Sequence, residues 1–171
     1  MPMKCRTATR ALIVTVAMFA LTGVAASGHE LEFGTLRIQH PWVVAKDATS
    51  TTTTAYVIEI QNHGKEGDQL IGASLLGVEG TLQEAVAESH PAKFTPPLHG
   101  LEIAPGRFAR LQPGVARIQF DGLHDELKEG QMVKGTLKFE KAGTMQVEFM
   151  IEPASLAEED PLPPHHHHAH N

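Results

Sequence analysis

Histidines at the carboxyl end of the chain are the residues best suited to chemistry. The last seven residues carry five imidazole groups, at His165, His166, His167, His168 and His170. Neutral imidazole is a good ligand for Zn(II), Cu(II) and Ni(II), and several imidazoles on one short segment can surround a single ion. A purification tag is the alternative, but tags usually run uninterrupted, whereas Ala169 breaks this run and Asn171 ends it. We therefore predict a native tail that binds a copper or zinc ion.

His29, near the amino end, is a second candidate ligand. Removal of a leader after Ala26 would leave Ser27-Gly28-His29 at the start of the mature chain. A free amine, two deprotonated amide nitrogens and a third-position imidazole form a square-planar set that suits Cu(II) or Ni(II). The alternative is a terminal histidine without a ligand role. The position of cleavage decides between the two interpretations.

Two further histidines, His90 and His99, flank Phe94 in a polar stretch of the chain. They are weaker candidates for metal ligands, because single histidines beside Pro and Gly are usually solvated loop residues. We expect both side chains to be exposed.

Motifs of the common enzyme classes are missing from the sequence. It contains no HExxH, no Gly-rich phosphate loop and no G-x-S-x-G. Its carboxylates do not stand out as an acid–base pair. We predict a protein that is not an enzyme.

The elements that position these residues begin with a secretion signal. Three basic residues precede an apolar run from Ala11 to Val24, and small residues follow at 25–27. The run is too short for a comfortable membrane span. We predict a signal peptide over residues 1–26 and a periplasmic protein without a transmembrane span after cleavage.

Cleavage of that signal changes the composition of the chain. It removes Cys5, the only cysteine, so the mature protein has no disulfide and no thiolate ligand. It leaves 11 basic and 20 acidic residues, a net charge of about −9. This charge disfavours nucleic acid and anionic lipid as partners and favours divalent cations or basic proteins.

The residues between the signal and the tail alternate between apolar and polar side chains, as β-strands do. Strand candidates lie at residues 36–39, 55–61, 69–76, 107–111, 115–120, 132–139 and 145–151. We expect the first of these strands to stop before Pro41, and we expect Tyr56, Ile58 and Ile60 to share one face. No sustained helical period is present, so the fold class is all-β, an antiparallel sandwich or barrel.

The domain organisation follows from the change in composition after the last strand. Residues 27–153 form the β domain. From residue 154 the chain is acidic and rich in proline, which is typical of a linker without a core of its own. Residues 154–171 are therefore predicted to be a linker that ends in the His-rich metal-binding tail.

Two stretches of the chain resemble the PCu(A)C family of periplasmic copper chaperones. One is the step His40-Pro41-Trp42, and the other runs from Thr81 to Leu123 with a Pro113-Gly114 turn. The resemblance covers about residues 34–152. It implies a cupredoxin-like antiparallel Greek-key barrel and a role in handing copper to the assembly of respiratory oxidases.

The second stretch is where that family carries its copper ligands, in the pattern His-x10-Met-x21-His-x-Met. The resemblance places these positions on Gln83, Phe94, Arg117 and Gln119, the last two being one residue later than the family spacing. Arg stays protonated and Gln offers only a hard amide oxygen, so neither replaces a soft donor for Cu(I). We expect metal binding to have moved to the histidines at the chain ends.

Two functional hypotheses remain open. In the first, the protein is a copper chaperone-like protein that binds or buffers Cu(II) or Zn(II) through its tail and His29. A periplasmic or membrane-bound protein would then receive the metal. In the second, the barrel is a metal-independent interaction module of a periplasmic assembly pathway, and it contacts its partner through the Arg117/Gln119 face.

Overall fold

The structure, a computed structural model, describes residues 30–86, 93–97 and 99–158. These residues form eleven strands and one short 3-10 helix. The strands are β1 (Glu30–Phe33), β2 (Leu36–Val44), β3 (Thr52–Asn62), β4 (Asp68–Leu75), β5 (Val78–Ala85), β6 (Phe94–Thr95), β7 (Leu101–Ile103), β8 (Phe108–Leu111), β9 (Ala116–Asp121), β10 (Met132–Phe139) and β11 (Gly143–Glu152). The 3-10 helix spans Ala154–Ala157. Within the described ranges, no helix is long and apolar enough to cross a membrane.

Seven strands close into a barrel in the order β2-β11-β10-β4-β5-β9-β3, and β3 pairs back with β2. The pairings are antiparallel except between β11 and β2, which run parallel with Met150 opposite Trp42. The other four strands extend the sheet at its margins. The predicted all-β barrel is confirmed, with one parallel pair that strand alternation alone does not reveal.

The hairpin of β10 and β11 follows the alternation of its sequence. Val133, Leu137 and Phe139 face Phe149, Met145 and Gly143 across the pair, and the apolar side chains of both rows lie in the core. Gly135 is the position on this face of β10 without a side chain. A Cβ there would lie 2.4 Å from the backbone oxygen of Ser74 and 2.8 Å from the ring of Phe149. The glycine therefore makes room for close packing of β4 and β11 around β10.

Strand β2 corrects the expectation that the first strand stops before Pro41. It continues to Val44, and Pro41 pairs with Val57 of β3 in the register already set by Gln39 and Glu59. His40 adopts a φ of 44°, an unusual conformation for a residue with a side chain. The register with β3 is the same on both sides of His40, but the inward-facing side chains change from even positions before it to odd positions after it. From Trp42 onward β2 also pairs with β11.

Strand β3 corrects the expectation that Tyr56, Ile58 and Ile60 share one face. Ile60 is fully buried and Tyr56 is 4% exposed, but Ile58 is 42% exposed. The register between β3 and β8 shifts between Val57 and Ile60, as at a β-bulge. A bulge inserts one residue into the strand, so the inward side chains change from odd to even positions.

Trp42 and Tyr56 form a small apolar cluster apart from the main core. They are opposite each other on β2 and β3, and their rings stack with centroids 4.5 Å apart. Their neighbour Val43 lies in the core, so by alternation the two aromatic rings occupy the outer face of the barrel. Both are nevertheless buried. The 3-10 helix packs against β2 near this cluster.

Candidate functional site

Strands β5, β6 and β9 bring the four positions of the family ligand pattern to one part of the barrel. Gln83 on β5 lies directly opposite Arg117 on β9, and Gln119 follows two residues later on the same strand. Ile118 is buried between them, so these three side chains point to the outer face. The pairing of β6 with the end of β5 places Phe94 beside them.

The two possible alignments of β9 with the family pattern differ in the burial of the residues that they select. The unshifted family spacing would select Ala116 and Ile118, which are each 1% exposed and belong to the core. Arg117 and Gln119 are half-buried on the outer face. The structure therefore supports the offset by one residue that the Pro-Gly turn indicates.

Arg117 contacts two of the other three positions. Its Nε donates a hydrogen bond of 2.9 Å to Oε1 of Gln83. Its guanidinium carbon lies 3.9 Å from the centroid of the Phe94 ring, which is a cation–π contact. The hydrogen bond holds the side chain at Nε, and the Phe94 ring covers one face of the guanidinium plane.

Gln119 makes its own contacts beside this group. The hydroxyl of Thr54 donates to Oε1 of Gln119 at 3.3 Å, and Nε2 of Gln119 donates to Oδ1 of Asp121 at 3.3 Å. The four positions thus offer amide oxygens, a guanidinium and an aromatic ring. This set does not fit a soft Cu(I) ion, which prefers thioether, thiolate or imidazole ligands.

Arg110 provides a second arginine on the barrel surface for comparison. Its guanidinium carbon lies 4.3 Å from the centroid of the Phe108 ring, and its Nη2 donates to Oε2 of Glu59 at 2.8 Å. A hydrogen bond from the amide of Gln61, followed by the bond from Arg110, lowers the pKa of the Glu59 carboxyl. Glu59 is therefore an ionised partner of Arg110 at neutral pH.

An open cleft of about 580 Å³ adjoins Arg117. Strands β3 and β9, the loop after β2 and the 3-10 helix form its walls. Lys46 and Arg117 contribute positive charge to the lining, and Asp47 and Glu158 contribute negative charge. Hydrogen bonds from the hydroxyl and the backbone N–H of Thr49 lower the pKa of Asp47, so this carboxylate is ionised at neutral pH.

Most of the predicted metal ligands lie outside the described residues. These are His29, His90, His165, His166, His167, His168 and His170. His99 is described and is exposed, as expected. In the part of the chain that the structure describes, no three His, Cys, Asp or Glu side chains form a group that could hold a metal ion.

The middle of the chain matches a known family. A family model described as "Putative lipoprotein LpqE-like" covers residues 36–151, about two thirds of the chain. The chain belongs to the LpqE-like family. No curated protein sequence matches this LpqE-like chain significantly.

Solved structures of PCuAC domains are similar to the LpqE-like barrel. The apo PCuAC domain from PmoF1 has a TM-score of 0.61 and 23% identity, covering 73% of this chain and 99% of that chain. The copper-bound PCuAC domain from PmoF2 has a TM-score of 0.59 and 22% identity, with coverages of 73% and 98%. The Cu(I) form of DR1885 from Deinococcus radiodurans has a TM-score of 0.50 and 23% identity, with coverages of 78% and 87%. The predicted resemblance to the PCu(A)C family and its cupredoxin-like fold is confirmed.

Sequence reasoning missed the contacts that the LpqE-like chain makes at these positions. It treated Gln83, Phe94 and Arg117 as separate replacements, whereas the structure joins them through one guanidinium. The signal was present in the residue types, because an aromatic ring and an arginine at two positions of one site form a cation–π pair. It also missed His40, whose Nε2 lies 3.3 Å from Oε1 of Glu152.

Proposed function

We propose that this chain is an extracytoplasmic, copper chaperone-like metal-binding protein that is not an enzyme. It binds Cu(II) or Zn(II) through His165, His166, His167, His168 and His170, and His29 is an additional ligand when cleavage leaves Ser27 as the first residue. The signal peptide over residues 1–26 directs it to the periplasm. A periplasmic or membrane-bound protein receives the metal.

The similarity to PCuAC domains supports metal as the cargo. Two of the similar structures are the copper-bound domain of PmoF2 and the Cu(I) form of DR1885. One observation carries the proposal. The chain has the fold of PCuAC domains, but the four positions that the resemblance assigns to copper ligands are occupied by Gln83, Phe94, Arg117 and Gln119. A barrel whose ligand face holds a guanidinium repels a cation, so the metal needs ligands elsewhere on the chain.

The tail supplies the donors that the barrel face does not. Its five imidazoles are borderline nitrogen ligands, which suit Cu(II) and Zn(II). Ligands that are neighbours in sequence can bind and release an ion without rearrangement of the barrel, which fits a protein that passes its ion on. The mature chain has a net charge of about −9, which favours the approach of cations.

Metal content of the mature protein, purified without an affinity tag, tests the proposal. The parent is compared with a variant lacking residues 165–171, and with a full-length variant in which all five tail histidines are alanine. We expect each variant to lose most bound Cu(II) and Zn(II), with dissociation constants at least about 100-fold weaker than those of the parent. Equilibrium dialysis with metal analysis measures this difference.

A control separates the tail from the barrel. The variant Arg117→Gln leaves the tail intact, and we expect its Cu(II) and Zn(II) binding to match the parent. The proposal fails if both metals bind negligibly to the parent, or if deletion of the tail leaves their binding unchanged. Negligible binding by all forms would favour the metal-independent interaction module instead, whose contact face is that of Arg117 and Gln119.

His29 needs a separate measurement, because its ligand role depends on where the signal is cleaved. Mass spectrometry of the mature amino terminus identifies the first residue. A start at Ser27 supports the square-planar nitrogen set, whereas a start at Gly28 or Glu30 removes it.

A further inference from the structure

Arg117 and Arg110 occupy the same kind of setting on the barrel surface. Each guanidinium lies over a phenylalanine ring, at 3.9 Å and 4.3 Å respectively. Each is also held by a hydrogen bond to a side chain. The difference lies in that second partner, because Arg110 donates to the carboxylate of Glu59 whereas Arg117 donates to the uncharged amide of Gln83.

The hydrogen bond of Arg117 uses Nε and leaves its Nη groups available. Within residues 30–86, 93–97 and 99–158, no carboxylate forms an ion pair with Arg117. The side chain of Arg117 is partly exposed, and within the described residues neither of its Nη atoms is a fully buried atom that lacks a hydrogen-bond partner. A guanidinium presents parallel N–H groups that match a carboxylate or a phosphate. Because Gln83 and Phe94 already hold this side chain, little conformational entropy is lost when it binds an anion.

The charges around the cleft select between these two anions. The cations Lys46 and Arg117 are balanced by the carboxylates of Asp47 and Glu158. Lys46 is further engaged by the backbone oxygen of Ser50, to which its Nζ donates at 2.8 Å. A phosphate group carries a charge of about −1.5 to −2 at neutral pH, so the two carboxylates would repel it more strongly than they repel a singly charged carboxylate. A single planar carboxylate adds one negative charge and matches the free edge of one guanidinium.

We propose that Arg117 makes this cleft a binding site for a carboxylate, from a small organic acid or from an acidic side chain of a bound peptide. The site is distinct from metal binding and requires no metal. Lys46 lines the same cleft, and its ammonium group adds a positive charge for the ligand.

NMR of the Arg Nε–Hε groups in the full mature chain tests this site. The probes are sodium acetate and a capped peptide with one glutamate, and sodium chloride at equal ionic strength is the reference. We expect a saturable shift of the Arg117 resonance with both carboxylates and none with chloride. Binding to the peptide that is at least about tenfold tighter than to acetate identifies a side chain as the source, and equal affinity identifies a small acid.

Two variants provide matched controls. Arg117→Lys keeps the charge but loses the planar fork, so we expect carboxylate binding, followed through the neighbouring backbone amides, to weaken at least about tenfold. Arg110→Lys should leave it unchanged, because Arg110 is already paired with Glu59. Phe94→Leu keeps Arg117 but removes its stacking partner, and we expect several-fold weaker binding.

Three results would overturn the assignment. One is a shift that does not saturate, or that chloride reproduces. Another is equal carboxylate affinity in the folded Arg117→Lys variant and in the parent. The third is inorganic phosphate binding more tightly than acetate, because the cleft charges predict the opposite order.

Discussion

Arg117 determines the chemistry of the outer face of the barrel. A guanidinium stays protonated in proteins, so it cannot act as a metal ligand and repels an approaching cation. Its contacts with Gln83 and Phe94 are favourable only while all three residue types are present together. A single substitution toward the family ligands would therefore disturb this group without creating a metal site.

Replacement of all four positions at once is expected to create such a site. The variant Gln83→His, Phe94→Met, Arg117→His and Gln119→Met would place two imidazoles and two thioethers on adjoining strands. We expect its Cu(I) affinity to be at least about 100-fold higher than that of the parent barrel, because these are soft and borderline ligands. Competition with a coloured Cu(I) chelator measures the affinity.

That comparison is made in proteins that lack residues 165–171, so that the tail does not contribute. Circular dichroism checks that the variant is folded. A folded variant with no greater Cu(I) affinity than the parent would mean that these four positions do not converge as the pairing of β5 and β9 indicates.

At the scale of the elements, alternation predicts most of the strands. Apolar rows identify β9, β10 and β11, because side chains on one face are buried together and those on the other face are solvated. The errors fall where this periodicity is interrupted. The bulge after Val57 exposes Ile58, and the left-handed conformation of His40 lets β2 continue past Pro41. Both depend on neighbouring strands, which are distant in sequence.

The sequence predicts which residues occupy the candidate site, but it does not predict the contacts between their side chains. The Pro-Gly turn is sufficient to align Arg117 with a family ligand. The position of its guanidinium over Phe94 depends on β6, a strand of only two residues with no periodicity to detect. The approach of Lys46 and Glu158 to one cleft likewise depends on segments that follow different strands.

Substitution of Gly135 tests how closely β10 packs between its neighbouring strands. We expect Gly135→Ala to lower the free energy of unfolding by about 1–3 kcal/mol, because the added Cβ would meet the backbone of Ser74 and the ring of Phe149. Gly72→Ala on β4 is the matched control, since a Cβ there has no neighbour within 4 Å. Its effect should be neutral, or stabilising by up to about 1 kcal/mol. Urea denaturation measures both, and equal destabilisation by the two variants would contradict this account.

In the proposed function of the whole molecule, the tail of nitrogen ligands binds the metal and the folded barrel does not. The barrel has the fold of PCuAC domains and carries Arg117 at a position that the resemblance assigns to a copper ligand. The tail carries imidazoles, whose affinity for metal depends on their protonation. The two parts should therefore respond differently to pH.

Metal binding by the mature protein is expected to weaken steeply from pH 7 to pH 5. Imidazole has an ordinary pKa of about 6.5, and protonated imidazole cannot bind metal. Competition from protons at two or more ligands should weaken binding at least about 100-fold over this interval. Calorimetric titration with Zn(II) at the two pH values measures the change. Equal affinity at both would exclude imidazole as the main ligand.

The parallel pairing of β2 with β11 has a consequence for how the chain acquires its structure. The barrel joins its second strand to its last, so closure requires a contact between residues far apart in sequence. Loop entropy makes such contacts late and slow to form. A growing or truncated chain without β11 would expose the free edges of β2 and β10, which are templates for association with other chains. We therefore expect removal of β11 to impair folding and to promote association between chains.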